Sequence, residues 1–119
     1  MLRENHNIKE TSCMADRDII RYLRRVAFKA AKKFNLRIKG LDKFPSDHAN
    51  IYNTVGVCEH NNMIYVNIYN AETGAYYSIE ALIDTTLHEV AHLAFKHGQH
   101  DKEFEIFFSD IKAWYYEEK

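Results

Sequence analysis

His88 and His92 lie four residues apart, and Glu89 follows the first of them. On a helix, side chains four apart share a face one turn apart, so both imidazoles can reach one metal ion. Glu89 is turned about 100° from His88. Its carboxylate then sits beside the ligand face, where it can take a proton from an attacking water rather than bind the ion. Chance explains the pattern poorly. With 7 histidines in 119 residues, this composition yields roughly 0.03 accidental His-Glu-x-x-His matches.

A catalytic zinc commonly takes three protein ligands and keeps a fourth position open. The candidates for the third are His97, His100, His60, Glu103 and Glu105. His97 lies five residues past His92, about 140° around a continuing helix, and so points away from the pair. His100 follows Gly98, where the chain can reverse, and precedes Asp101, a plausible N-cap for a last helix in which a packed Phe104 anchors it. Geometry therefore favours His100. Glu103 and Glu105 have a sufficient reason for their place in a first helical turn. His60 reads as a turn residue and Cys58 as a small buried one.

The elements that must hold these groups are legible in periodicity. Residues 16–34 carry Ile19, Ile20, Leu23, Val26, Ala27, Ala30, Ala31 and Phe34 on one half of a helical wheel. Arg17, Arg21, Arg24, Arg25, Lys29 and Lys32 fall on the other half, with Phe28 among them. Asp16 is expected to cap this helix. From residue 36 to 70 the period becomes two: a first strand near Leu36, Ile38 and Leu41, a second over Ile51 to Val57, and a third over Met63 to Tyr69. Phe44 to His48 reads as a loop, and Glu59 to Asn62 as a tight turn. Short loops between these strands predict antiparallel pairing. Helix returns over 78–97, capped by Ser78 and ended by Gly98, and a final helix from Asp101 carries Phe104, Phe107, Phe108, Ile111 and Trp114 for the core.

The chain has length for one core, with residues 1–14 expected as a flexible tail and 15–119 as the domain. Its net charge of −1 conceals an asymmetry. Residues 17–43 hold ten Lys and Arg against two Asp, whereas residues 72–119 hold ten Asp and Glu against four Lys. The basic front suggests an anionic partner, with DNA as one candidate; a solvated helix face is the plainer account. Two cysteines, Cys13 and Cys58, make no disulfide framework and point to a reducing, cytoplasmic setting. No apolar run is long enough for a membrane span.

His88-Glu89-x-x-His92 followed by His100-Asp101-x-x-Phe104 resembles the SprT-like and WLM groups of zincin metallopeptidases. Gly56-Val57-Cys58 followed by Ile64 to Ile68 is similar to the hairpin that precedes their metal-binding helix. The resemblance spans about residues 50–108. It implies zinc on His88, His92 and His100, with Glu89 as general base. Some members of these groups act on proteins crosslinked to DNA, which gives the basic face a possible role.

The reading is thus an α+β, minimal zincin-like domain: one N-terminal helix, a three-stranded antiparallel sheet, the metal-binding helix and a closing helix. Its expected activity is zinc-dependent peptide hydrolysis, with the strand at 63–69 offering an edge to an extended substrate. Tyr65, Tyr69, Tyr76 and Tyr77 are candidate oxyanion donors, and Asp84 is a candidate for orienting His88, or else a solvated helix position. Two alternatives stand beside it: a zinc-dependent endoribonuclease, which would not need Glu89, and a non-catalytic, zinc-stapled adaptor for nucleic acid or protein.

Overall fold

The computed structural model describes residues 15–44, 56–58, 61–70, 73–95 and 100–118. The expected tail, most of the second strand, His60, His97 and Gly98 lie outside the described residues. The first helix, α1, runs Asp16–Lys33 and buries the seven apolar residues from Ile19 to Ala31 that the wheel assigns inward. Its N-cap is Ala15, with no side-chain cap, rather than Asp16. Asp16 is occupied elsewhere: its carboxylate accepts a 2.8 Å hydrogen bond from the Tyr76 hydroxyl and lies 3.9 Å from the Lys43 ammonium.

At the far end of α1, Asn35 adopts φ 59°, Leu36 N–H donates to Ala31 O and Asn35 N–H to Lys32 O. This is a left-handed helix stop that satisfies two terminal carbonyls. It also corrects the first strand. Leu36 belongs to the stop, Leu36 and Ile38 only pack against the core, and pairing begins at β1, Gly40–Lys43.

Strands β2 (Gly56–Cys58) and β3 (Met63–Val66) complete a sheet in the order β1-β3-β2. β2 pairs antiparallel with β3, but β1 pairs with β3 in parallel, Gly40 opposite Met63 through Lys43 opposite Val66. The sheet is mixed rather than antiparallel. Its physical reason is topological: β2 lies on the side of β3 away from β1, and the hairpin from β2 then lays β3 between the two, parallel to β1. β3 takes the centre, and its inward side chains, Ile64 and Val66, are completely buried. It is therefore not the substrate-receiving edge expected of the strand at 63–69. Beyond it the chain doubles back through a turn with Gly74 at φ 75°, and Tyr69 bridges to Tyr76.

Helix α2, Ile79–His92, begins with Ser78, whose side-chain oxygen accepts from Ala81 N–H at 3.1 Å. It stops well before Gly98. Leu93 and Ala94 donate to carbonyls three residues back, Val90 and Ala91, so the last turn tightens and the helix ends immediately after His92. Helix α3, Lys102–Glu118, is capped as the sequence suggests, with Phe104 N–H donating to the Asp101 carboxylate at 3.0 Å. α2 is the hub: it packs on α1, α3, β2 and β3. Phe34 closes the opposite side with edge-on contacts to Phe107 and Trp114 at 5.5 and 5.7 Å, a geometry worth about 0.5–1.5 kcal/mol per pair beyond burial.

Candidate metal centre

Three histidines meet where α2 ends and α3 begins. His100 Nε2 lies 3.2 Å from His88 Nε2 and 3.0 Å from His92 Nε2. One ligand atom from each falls within 4.8 Å of the others, and this is a group that can hold a metal ion. Zinc–nitrogen bonds of about 2.0–2.1 Å at tetrahedral angles place ligand nitrogens roughly 3.3 Å apart. The two close spacings are near that value, so the imidazoles fit the ion that the motif implies. With three nitrogens supplied, a fourth position is left for water or substrate.

Two local causes place the three imidazoles. Helix α2 presents His88 and His92 one turn apart. The early end of that helix and the Asp101 cap of the next bring His100 back over them. Beneath all three lies Phe104, completely buried, with its ring centroid 5.1 Å from His88, 4.5 Å from His92 and 4.9 Å from His100. Phe108 meets His88 edge-on at 5.0 Å. The Phe residues that periodicity assigns to the core are thus also the floor of the site. Burial, and then repulsion from His100, lower the pKa of His88, opposed in part by Asp84. A neutral imidazole is the form that ligates metal.

Glu89 stands apart from the ligands. It is only 5% exposed, and burial pushes its carboxyl from 4.5 up to about 7. Among the described residues no donor hydrogen-bonds to it. It lies instead against β2, within 3.2 Å of where a Cβ on Gly56 would be. Sequence reasoning assigned no role to Gly56 or to its neighbour Thr85, and it took Phe104 only as an anchor and core residue. The one available signal was the Gly56-Val57-Cys58 tripeptide that opens the hairpin.

The other candidates are distributed as follows. Asp84 pairs with Lys112 at 3.6 Å, and Lys112 sits 4.6 Å from the Phe108 ring centre. Glu103 and Glu105 are exposed on the first turn of α3. Tyr76 is committed to Asp16, and that hydrogen bond raises its pKa. Tyr65 stacks on Phe44, and Tyr69 meets Tyr76 edge-on. Arg17, Arg21, Arg24, Arg25, Lys29 and Lys32 are all exposed along α1, with Phe28 40% exposed among them. No described helix is long and apolar enough to cross a membrane.

The chain is thus a small α+β fold in which a helix packed on a mixed sheet presents two histidines and the following segment adds a third, a group that can hold a metal ion. A crystal structure of a Wss1 mutant from Saccharomyces cerevisiae shares the fold. It superposes with a TM-score of 0.69 at 19% identity, covering 92% of this chain and 83% of that one. No protein-family model matches the chain, and no curated protein matches it.

Proposed function

We propose that the chain is a zinc-dependent metallopeptidase that hydrolyses peptide bonds, with His88, His92 and His100 as ligands and Glu89 as general base. One observation carries the reading: three imidazoles converge, with His100 Nε2 at 3.2 and 3.0 Å from the other two, on the helix that also carries the buried Glu89 carboxylate, to which no described residue donates. The resemblance of the motif to the SprT-like and WLM metallopeptidases supports it, and the fold shared with Wss1 is compatible with it. Zinc held there would supply Lewis-acid activation of water and of the scissile carbonyl. Glu89 takes the proton of the attacking water on its carboxylate and delivers it to the leaving amine. Its buried setting suits that exchange, because desolvation raises the carboxyl's pKa and so strengthens it as a base.

The substrate edge belongs to β2 rather than β3. β2 is one of the two outer strands among the described residues, and its Gly56 faces Glu89. An extended peptide added along β2 by main-chain hydrogen bonds would pass beside that carboxylate. The basic face of α1 extends the proposal to protein substrates associated with DNA, its cations contacting phosphates.

Incubating the full chain with casein and with RNA, with zinc and with a chelator, tests the reading. Casein cleavage that needs zinc and is lost in Glu89→Gln, with zinc content unchanged, is the expected result. RNA cleavage surviving Glu89→Gln would replace it with the endoribonuclease reading. Zinc binding with neither activity would leave the adaptor.

A further inference from the structure

A Cβ built on Gly56 would lie 2.8 Å from Thr85 Cγ2 and 3.2 Å from both Cγ and Oε2 of Glu89. Real Cβ contacts below 3.0 Å essentially do not occur, so the first of these forbids a side chain without movement. The other two show the strand backbone resting on the Glu89 side chain itself. Glu89 is one turn of helix after Thr85, so the two side chains stand on the same face, toward β2. Among the described residues no hydrogen bond fixes the carboxylate, and it is their packing that sets its direction. A flexible side chain without polar anchors is held only as well as its walls fit.

We propose that Gly56 is a positioning residue for Glu89: the bare Cα of β2, with Thr85 beside it, forms a steric slot that fixes where the carboxylate lies. This rests on the peptidase reading for its consequence, but not for its geometry. Glycine is required here for close approach, since only a residue without Cβ lets β2 lie against α2 while leaving room for a glutamate between them. Any larger residue must either lift β2 or swing Glu89 away. Displacement of a reacting group by about 1 Å can cost on the order of 10²-fold in rate.

The two close contacts can be separated by mutation, because Thr85→Ser deletes Cγ2 and leaves Glu89 untouched. The zinc-loaded full chain is compared as wild type, Gly56→Ala, Thr85→Ser and the double variant. Four readouts are taken: zinc content, melting temperature, kcat and KM on a casein-derived peptide, and the nuclear Overhauser contact between the α-hydrogens at position 56 and Glu89 Hγ. Wild type should show the contact. Gly56→Ala should keep one zinc, melt lower, and lose at least tenfold in kcat with KM within about twofold. Adding Thr85→Ser should recover the melting temperature while kcat stays low. If Gly56→Ala does not fold, the double variant carries the test, because its remaining tight contacts are those with Glu89. Recovery of kcat together with the melting temperature would assign the loss to general strain and overturn the proposal. So would absence of the Overhauser contact in wild type, or undiminished kcat in the double variant. A wild type that binds zinc and shows the contact but cleaves no peptide would instead remove the peptidase reading and leave the slot standing.

Discussion

Replacing Glu89 by Gln should stabilise the metal-free chain in mild alkali and change it much less in acid. The carboxyl is 5% exposed, no described residue donates to it, and burial raises its pKa from 4.5 to about 7. Because the folded state holds the proton more tightly than the unfolded state, the favourable contribution is complete below 4.5 and is lost as pH rises through about 7. Across that window the folded protein must accept a desolvated charge, at a cost of about 3 kcal/mol. His88 acts in the opposite sense. Its lowered pKa makes protonation destabilising as pH falls. That term is common to wild type and Glu89→Gln, so the difference between their profiles isolates Glu89. Urea unfolding of both metal-free proteins from about pH 5 to about pH 8.5 should show the advantage of Glu89→Gln widening by about 2–3 kcal/mol. Saturating zinc should shrink the widening, since a nearby dication favours the ionised carboxylate. Parallel stability profiles for the metal-free pair would refute the reasoning, and would mean that the carboxylate is solvated or partnered in solution.

Three further outcomes follow from the same geometry. His100→Ala should lose most of its zinc by metal analysis while His97→Ala keeps a full equivalent; the reverse pattern would displace His100 as third ligand. Phe104→Ala, which empties the floor under all three imidazoles, should cost about 3–5 kcal/mol in denaturant unfolding and weaken zinc binding in a competition titration. Undiminished zinc affinity in the milder Phe104→Leu would show that the ring does not orient the ligands. An Arg21/Arg24/Arg25→Glu variant should lose any salt-sensitive DNA binding seen for wild type at low ionic strength, at unchanged zinc content. Wild type that binds no DNA at low salt would confine the proposal to proteins free of nucleic acid.

What the sequence by itself determined about this protein is what local periodicity carries. The apolar half of α1, the histidine pair on α2, the Ser78 and Asp101 caps and the buried phenylalanine and isoleucine of α3 all follow from helical spacing and capping chemistry. Those rules act within a few residues, so they survive without knowledge of the rest of the chain. His100 was reachable by the same reasoning, because a chain reversal followed by a cap and an anchoring Phe104 limits where the next residues can go. The sheet was not. Alternation identifies strands but carries no record of which neighbours they choose, and the parallel pairing of β1 with β3 depends on a connection that crosses over before the hairpin returns. Asp16 shows the same limit on a smaller scale, since its cap was forfeited to Tyr76, 60 residues away. The surroundings of Glu89 are the clearest case. Its identity is written in the motif, but its burial, its lack of a described donor and its lodging against Gly56 come from β2 packing onto α2 across more than 30 intervening positions. Contacts of that range have no period, and only the folded chain decides them.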